Sequence, residues 1–393
     1  MRRLAVLIAL GSSGCAIFLE PSEVDCEVLE EAPDGYPVSE CLLEIQGLNL
    51  VRGNSSHTIN GGHFELAFID RIAGIANASI GDLDAILAAG SQNAELHSGI
   101  AWRTMPGQSA HSHTSMAGPP EIVVSSSALV ALQLEFNFNG EIGGSPLYTV
   151  HPDGRVHRSE QFSSGLPLDF VTAYVGLDPQ KLDTVMLPDG GERTAFSVDA
   201  SLFDEFFTGD PESSELCAFS QNGSYLTWAS TRLAIGDDVE GQLRATDNRQ
   251  VGPSIRALQS DWIHPPNAAQ MGDFTASILM HLGASTDAPC ADVAVQTQAF
   301  RDPGPFYDPA SGIIEFTAVE PNFAPIVVDR AHPSPTFRIL QLNLPDNPTI
   351  TVERADRELL EGRDYIFDII GFDLLVHLAT GLNADDPLEI RVD

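Results

Sequence analysis

Lysine is almost missing from this chain of 393 residues: Lys181 is the only one, and the other basic residues are arginines. With 20 basic and 55 acidic residues, the formal net charge is −35. A field of this sign repels phosphate backbones, which argues against nucleic acid as a partner. A lysine-based mechanism would rest on Lys181 alone, in a proline-flanked stretch that is typical of a loop.

The sequence also lacks the short motifs of common catalytic sites. It contains no G-x-S-x-G, no H-E-x-x-H, no glycine-rich phosphate loop and no C-x-x-C. Acidic residues are plentiful, so a glycosidase carboxylate pair stays open, because such a pair is defined by a distance across the fold. The catalytic residues are therefore unknown at this level, and the pattern favours a protein that is not an enzyme.

Tryptophan and tyrosine are scarce, with three and six residues respectively. Proteins that bind carbohydrate usually present exposed aromatic rings to the sugar. Trp102, Trp228 and Trp262 stand in apolar or strand-like contexts. We expect each of them to lie in or near the core instead of forming a sugar platform.

The first residues have the layout of an export signal. Arg2 and Arg3 form a positive start, Leu4–Leu10 form an apolar run, and small residues then lead to Cys15. This segment resembles a bacterial lipoprotein signal, in which cleavage falls just before a cysteine that is then lipidated. The resemblance covers residues 1–15. It implies that Cys15 carries a lipid and that the membrane is a partner through this lipid.

Two alternatives to the lipoprotein interpretation stay open. The pair Gly14-Cys15 fits the pattern, whereas Ser12 stands where an aliphatic residue is usual. One alternative is ordinary signal cleavage just downstream. The other is an uncleaved anchor through Leu19, although about 20 apolar residues are needed to span a bilayer and this stretch is shorter. The lipoprotein interpretation places the protein in the bacterial cell envelope, on the outer membrane or the periplasmic face.

The four remaining cysteines support export, because an even number of cysteines in an exported chain indicates disulfides. Three pairings are open, and we favour the local one, which joins Cys26 to Cys41 and Cys217 to Cys290. The first bridge would clamp an acidic tether at residues 16–41, where a short loop is worth about 3 kcal/mol in the chain-entropy model. Four reduced, buried thiols are the alternative.

Period-two patterns dominate from residue 42 onward. Apolar and polar residues alternate over Val130 to Phe138 and again over 274–282, as expected for half-buried strands. Helical patterns are confined to two short segments, 82–89 and 202–207. We predict an all-β chain with a jelly-roll-like or sandwich main domain at about 42–300.

A smaller domain is predicted at 306–393, after a turn-forming segment rich in proline and glycine. Its tail, VERADRELLEGRDYIFDIIGFDLLVHL, resembles a recurrent piece of small bacterial extracellular β-sandwich modules. In these modules a Gly-x-Asp-Tyr step precedes two strands, and the step here runs from Gly362 to Tyr365. The resemblance implies an immunoglobulin-like spacer or binding module, without a chemistry of its own.

One hairpin can be predicted in register. The segment His151-Pro-Asp-Gly-Arg155 suits a type I turn with glycine in the left-handed position, which gives a three-residue loop. This register places Thr149 opposite His157, so that His151, Arg155 and His157 share a face. These three side chains are candidates for binding an anion or for acid–base chemistry. The alternative is a solvated strand face beside a turn.

Two sets of residues are candidate metal ligands. His111 and His113 alternate, so on a strand both imidazoles would face one ion, although a third ligand would have to come from elsewhere. The acidic loop with Asp237, Asp238 and Glu240 suits calcium, which prefers several oxygen ligands. The alternatives are an exposed polar loop and an ordinary charged turn. Calcium is the one cofactor that the sequence suggests.

Together these features predict an exported, lipid-anchored surface or periplasmic protein with a binding or structural role. Its partner besides the membrane would be a polysaccharide or another envelope protein. A hydrolase or lyase that acts on polysaccharides and uses the jelly-roll scaffold is the alternative. A calcium-stabilised adhesion module is a third interpretation.

Overall fold

The fold is built from strands. The computed structural model describes residues 45–70, 73–84, 86–87, 98–103, 111–112, 119–138, 140–168, 170–178, 181–186, 192–194, 205–209, 215–234, 240–247, 256–263, 270–284, 290, 307–308, 310–328, 331–332, 334–345, 348–355 and 357–393. None of these residues is helical. Within them there is accordingly no helix that is long and apolar enough to cross a membrane. The predicted all-β fold class is confirmed.

Thirty strands lie within the described residues, and twenty-one of them precede residue 300. They are β1 Asn49–Arg52, β2 Ser56–Gly61, β3 Phe64–Ile69, β4 Asn77–Ile80, β5 Ser98–Arg103, β6 His111–Ser112, β7 Glu121–Ser125, β8 Val130–Gln133, β9 Phe136–Phe138, β10 Ile142–Gly144, β11 Leu147–Val150, β12 Arg155–Leu168, β13 Phe170–Leu177, β14 Thr184–Met186, β15 Glu192–Thr194, β16 Glu205–Gly209, β17 Glu215–Phe219, β18 Ser224–Ala234, β19 Glu240–Asp247, β20 Arg256–Ile263 and β21 Gln270–Ala284.

Nine strands follow. They are β22 Tyr307–Asp308, β23 Ile313–Thr317, β24 Phe323–Val327, β25 Thr336–Leu340, β26 Ile350–Arg354, β27 Arg357–Glu358, β28 Tyr365–Ile370, β29 Asp373–Leu378 and β30 Pro387–Val392.

The first group of strands forms three antiparallel sheets. One is a four-stranded meander, β1-β2-β3-β4. The largest has eleven strands, with the order β15-β14-β17-β18-β21-β12-β11-β8-β7 and a side branch of β9 and β10. The third has the order β16-β19-β20-β13-β5-β6. One apolar cluster draws buried side chains from all three sheets, including Leu66, Trp102 and Trp228. The expected burial of these two tryptophans is confirmed.

The strands after residue 306 form a β-sandwich of two sheets. The first has the order β22-β23-β25-β29-β28, in which β23 and β25 run parallel. The second has the order β24-β30-β26-β27. A separate apolar cluster fills the space between them, with Phe337, Val352 and Leu374 among its buried members. We call this part of the chain the C-terminal sandwich.

Strand β21 is shared between the two cores. Its residues Ile278, Met280 and Leu282 belong to the main cluster, whereas Leu279 belongs to the cluster of the C-terminal sandwich. Alternate side chains of a strand point to opposite faces, so both faces of β21 are covered. All these strands belong to the compact unit Glu44–Asp393. The predicted boundary between the two domains, near 300–306, lies outside the described residues.

Three local predictions need correction. The segment from Val130 to Phe138 is interrupted at Leu134, whose amide donates to Pro146, and it forms β8 and β9 instead of one strand. The helix suggested at 202–207 gives way to β16 from Glu205 onward. In the segment 82–89, the described residues form a turn and isolated bridges. Pairing with neighbouring strands overrides weak local helical patterns.

Candidate functional site: a histidine-rich junction

The hairpin formed by β11 and β12 carries the predicted ligand-binding residues. Thr149 lies opposite His157, and the amide of His151 donates to the carbonyl of Arg155 at 2.9 Å. The predicted three-residue loop is therefore confirmed. Gly154 has φ +89°, and a Cβ there would collide with the carbonyl oxygen of Leu282. Glycine is thus required both by the turn and by the packing of β21 against it.

The expectation of a solvated strand face is wrong. His151 and His157 have no exposed surface, and Arg155 is 2% exposed. Residues of the C-terminal sandwich cover this face, since His151 contacts both Ser311 and Thr336. The opposite face of the hairpin packs in the main core, so the hairpin is buried on both sides.

An ion pair lies within the turn itself. The Nε atom of Arg155 donates to Oδ2 of Asp153 at 2.5 Å, and a second guanidinium nitrogen of Arg155 donates to the carbonyl of Ser334. Burial alone would raise the pKa of Asp153, but the neighbouring Arg155 outweighs it and holds this pKa well below its usual range. The pair therefore stays ionised and links the hairpin to the C-terminal sandwich.

A chain of hydrogen bonds crosses from the hairpin to β29. The Nε2 atom of His151 lies 2.9 Å from the carbonyl oxygen of Ser311. Its Nδ1 atom lies 2.7 Å from Oγ1 of Thr336, which lies 2.9 Å from Nδ1 of His377. All three side chains are at most 1% exposed. One hydroxyl group therefore connects two buried imidazoles that come from distant parts of the chain.

The chemistry of these groups fixes the direction of the chain. A carbonyl only accepts, so His151 donates from Nε2 to Ser311. Burial, reinforced by Arg155, holds the pKa of His151 well below its usual value, so the ring is neutral and its Nδ1 atom accepts. Thr336 then donates its single proton to His151 and accepts from Nδ1–H of His377. In all three hydrogen bonds the donated proton therefore points along the chain from His377 toward Ser311.

Further titratable side chains surround this chain. The ring of His157 lies 5.3 Å from that of His151 and 6.4 Å from that of Tyr307, which stacks on His332 at 5.8 Å. Gly312, with φ +71°, leaves room for His157, because a Cβ at this position would collide with the ring. The packing leaves no room for a ligand between the ring and this turn.

Two more histidines reach the same turn from the main sheets. His281 on β21 lies with Nε2 3.0 Å from the carbonyl oxygen of Asp153, and His63 lies with Nε2 2.9 Å from that of Leu282. We call the connected set of polar side chains at the centre the histidine junction. Its members are His151, Asp153, Arg155, His157, His281, Thr336 and His377.

Burial controls the titration of the junction. Burial lowers the pKa of His377 to about 4, against a partly opposing effect of Asp153. Burial also lowers the pKa of His281, and His63 and Arg155 reinforce the shift. Removal from water disfavours the charged form of an imidazole, which explains both shifts. His377 and His281 are therefore neutral at pH 7, whereas Arg155 and Asp153 form an ionised pair.

Thr149 adds a hydroxyl group to this face. The hydroxyl oxygen of Thr149 is buried and has no hydrogen-bond partner in the part of the chain that the structure describes. An unsatisfied buried hydroxyl costs about 1–3 kcal/mol, so closing the junction over Thr149 is opposed by its desolvation.

The other predicted site residues do not join the junction. His111 lies on β6, paired with Trp102, but its side chain is not among those described, and His113 falls outside the described residues. Asp237 and Asp238 also fall outside, as does the side chain of Glu240 at the start of β19. Among the described residues, no group of three potential ligands could hold a metal ion.

One predicted disulfide is present. Cys217 on β17 is bonded to Cys290, with a Cα–Cα distance of 5.9 Å that suits a disulfide. This confirms the second of the two predicted bridges, Cys217 to Cys290. The other three cysteines lie before residue 45 and are outside the described residues: Cys15, Cys26 and Cys41.

Sequence reasoning missed the partners of the hairpin. Thr336, His377 and His281 lie on strands whose pattern is otherwise apolar or mixed. The run Leu374 to Leu378 did carry a signal, because His377 interrupts an apolar strand and is 1% exposed. A histidine inside such a run indicates a buried imidazole that needs a partner.

Comparisons with known proteins return no family. No family model matches the chain, and no curated protein matches it. Solved structures match only distantly. The chain is similar to heparan sulfate lyase HepC from Pedobacter heparinus, with 9% identity over 62% of this chain and 36% of that one and a TM-score of 0.33.

Two other structures show a likeness of the same kind. Galactose 1-epimerase from Lactobacillus acidophilus NCFM has 11% identity, with 61% of this chain and 99% of that chain covered, and a TM-score of 0.36. The heparinase III product of BT4657 has 5% identity, covers 89% of this chain and 42% of that one, and has a TM-score of 0.34. The chain spans about a third of the length of the HepC lyase. We base no function on likenesses at this level.

Proposed function

We propose that this is an exported, lipid-anchored protein of the bacterial cell envelope that binds or supports other components and catalyses no reaction. One observation carries the non-catalytic part. Ionisable side chains do converge from different strands, but they do so in the histidine junction, which the C-terminal sandwich covers. A catalytic group has to touch its substrate, and buried imidazoles without exposed surface do not.

Two features support export and a structural role. The bond between Cys217 and Cys290 fits an oxidising compartment, where disulfides persist. The C-terminal sandwich has its own apolar core, which is consistent with the spacer or binding module that the sequence resemblance implies. The N-terminal signal supplies the predicted anchor at Cys15, and a polysaccharide or another envelope protein is the proposed partner.

The binding role is tested by incubating the purified full chain, in detergent and with calcium, with a panel of neutral and acidic polysaccharides. Soluble products and retained protein are both quantified. We expect retention on at least one polysaccharide without release of oligosaccharides. Release of oligosaccharides would overturn the proposal in favour of a hydrolase or lyase. Absence of both would remove the polysaccharide partner and leave an envelope protein as the ligand to be sought by cross-linking.

The anchor is tested separately by labelling cells with a radioactive fatty acid. We expect the wild-type protein to carry label and to fractionate with membranes, and the Cys15→Ala variant to lose both. Cys26→Ala is the matched control, because it removes a cysteine that lies beyond the predicted lipidation site. Equal labelling of wild type and Cys15→Ala would contradict the anchor, whatever the outcome with polysaccharides.

A further inference from the structure

We infer that the histidine junction is an acid-sensitive latch, which holds the β11–β12 hairpin on the C-terminal sandwich at neutral pH and releases it when the junction takes up protons. This inference goes beyond the proposed function and does not depend on it. It rests on the direction of the hydrogen-bond chain, on the charges around it, and on the separate cores on its two sides.

A further proton on His151 forces the hydrogen-bond chain to rearrange. Nδ1 of His151 accepts the only proton of Thr336, and Oγ1 of Thr336 accepts from His377. A proton added to Nδ1 of His151 would turn that atom into a donor facing the Thr336 hydroxyl. The Thr336 proton would then have to turn toward Nδ1 of His377, which requires His377 to carry its own proton on Nε2 instead. Protonation of His151 thus disturbs the contact between the hairpin and β25, in addition to placing a charge in a buried space.

The charges that face His151 do not favour a further proton either. From the hairpin, His151 faces the guanidinium of Arg155, the ring of His157 and the carboxylate of Asp153, and from β29 it faces His377. The carboxylate of Asp153 is already paired with Arg155. A second positive charge in this buried space would therefore lack a carboxylate of its own among these groups.

The described residues of the remaining elements include one more carboxylate, Asp308, which is not among the charges that act on His151. On β22, Tyr307 faces the cluster, and the carboxylate of Asp308 accepts a hydrogen bond from the hydroxyl of Ser311 at 2.6 Å. From the main sheets, His281 and Tyr225 approach the turn, and their rings lie 5.5 Å apart. Burial raises the pKa of Tyr225 and of Tyr307, so neither hydroxyl adds negative charge at pH 7.

The lowered histidine pKa values support the same conclusion. For one histidine with a pKa of about 4 in the closed junction, as for His377, and about 6.5 when hydrated, linkage favours the open state about 20-fold at pH 5 relative to pH 7. His151 and His281 act in the same direction, because burial lowers both of their pKa values.

Release can stay local, because each side of the junction has its own large apolar cluster and these clusters meet at Leu279 of β21. Another contact between the two sides also contains no histidine. There the amide of Ser127, in the β7–β8 turn, donates to Asp368 at 3.2 Å, and Leu129 packs against Ile366 and Leu375. We expect this second contact, which we call the apolar contact, to hold while the hairpin is released.

The test is hydrogen–deuterium exchange of the full chain at pH 7.5, 6 and 5, corrected at each pH for intrinsic exchange. The junction is reported by peptides that cover 147–158 and 311–317. The apolar contact and β30 serve as internal references. We expect protection of the junction to fall at least tenfold between pH 7.5 and 5, while the references change less than twofold. Return to pH 7.5 should restore the protection.

A variant with non-titrating side chains separates protonation from other effects of acid. His151→Gln keeps a donor near Nε2, and His377→Asn keeps a donor near Nδ1. In the double variant the junction should change at most about threefold between pH 7.5 and 5, because His281 is the one of the three histidines with lowered pKa values that still titrates. His57→Gln is the matched control, since His57 lies on β2 at the end distant from the β2–β3 turn, and it should keep the full tenfold change.

Three results would overturn the latch. The first is unchanged protection of the wild-type junction down to pH 5. The second is equal loss in the junction and in both references, which would mean global unfolding. The third is a tenfold change in the double variant. If the double variant does not fold, the single variants His151→Gln and His377→Asn are compared instead, and each should reduce the pH effect at least threefold.

Discussion

The two faces of the β11–β12 hairpin are equally buried but are buried in different ways. One face places Tyr148, Val150 and Val156 in the main apolar core. The other face, with His151 and Arg155 among its residues, meets hydroxyl, carbonyl and imidazole groups of the C-terminal sandwich. The apolar face is stabilised by the hydrophobic effect, because its side chains are removed from water. This stabilisation does not depend on pH near neutrality. The polar face is held only as long as each group keeps its partner and its protonation state.

The two faces should therefore tolerate different substitutions. An apolar contact loses stability in proportion to the lost area and volume. A buried polar contact loses more when one partner is removed, because the other partner stays desolvated. The two faces of one hairpin therefore offer matched sites at which these rules can be compared within one protein.

The largest effect is expected from breaking the ion pair between the buried Arg155 and the partly exposed Asp153. Arg155→Met leaves the carboxylate of Asp153 without its partner, and we expect the free energy of unfolding to fall by about 4 kcal/mol. Urea denaturation measures this change. The matched control is Arg338→Met, because Arg338 pairs with Asp373 at the surface, where the loss should stay below about 1 kcal/mol. Equal losses in the two variants would contradict the distinction between the buried and the exposed pair.

Acid should produce the next largest effect. A lowered histidine pKa contributes stability that is present above about pH 6.5 and is lost as the pH falls through the folded value. For His377, with a pKa of about 4, the loss between pH 7 and 4 is on the order of 3 kcal/mol. Asp153 extends the loss to lower pH, because its pKa is also depressed.

The acid effect is measured by urea denaturation at several pH values. The wild type is compared with His377→Asn. The many acidic groups of the chain also make its stability depend on pH, and this contribution is the same in both proteins. The difference between the two curves should grow as the pH falls from 6.5 to 4. Parallel curves would mean that His377 does not titrate with folding.

A smaller effect is expected at the glycine that faces the junction. Gly312→Ala strains a residue at φ +71° and pushes a methyl group against His157. We expect a loss of about 2 kcal/mol, from the left-handed conformation together with overpacking. Gly362→Ala is the control, because Gly362 has φ +79° with no atom near its Cβ position. A loss in Gly312→Ala no larger than in Gly362→Ala would show that packing against His157 contributes nothing.

The smallest effect should have the opposite sign. Thr149→Val replaces a buried hydroxyl that lacks a described partner, and we expect it to raise the free energy of unfolding by about 1 kcal/mol. The reverse change at the next residue, Val150→Thr, inserts a hydroxyl into the apolar core and should lower it by about 2 kcal/mol. Thermal and urea denaturation should agree on both signs. Destabilisation by Thr149→Val would show that its hydroxyl is hydrogen-bonded after all.

Local pattern and turn chemistry were sufficient for much of the fold. The alternation over β8 and β21 and the signal Pro152-Asp153-Gly154 predicted strands and a register that the structure confirms. Residues that are adjacent in sequence carry this information, because turn geometry and side-chain alternation are short-range effects. The spacing between Cys217 and Cys290 likewise favoured the pairing that is present.

The local sequence pattern was insufficient where pairing with a distant strand decides the conformation of a segment. Residues at 202–207 have an apolar spacing that suits a helix, yet Glu205–Gly209 pairs with β19. A short helix is marginal by itself, and hydrogen bonds to a neighbouring strand are available only in the folded chain. The break at Leu134 has the same origin, because its amide bonds to Pro146 across the sheet.

Short-range patterns thus establish the strand-rich class, the turn at Gly154, and the set of side chains that share each face of the hairpin. The burial of the polar face follows from long-range packing alone. The partner of His151 is Thr336, which lies 185 residues further along the chain, and His377 completes the contact from another strand. Alternation fixes which residues point together, but long-range packing decides whether water or protein meets them, and that choice sets the pKa values of the histidines.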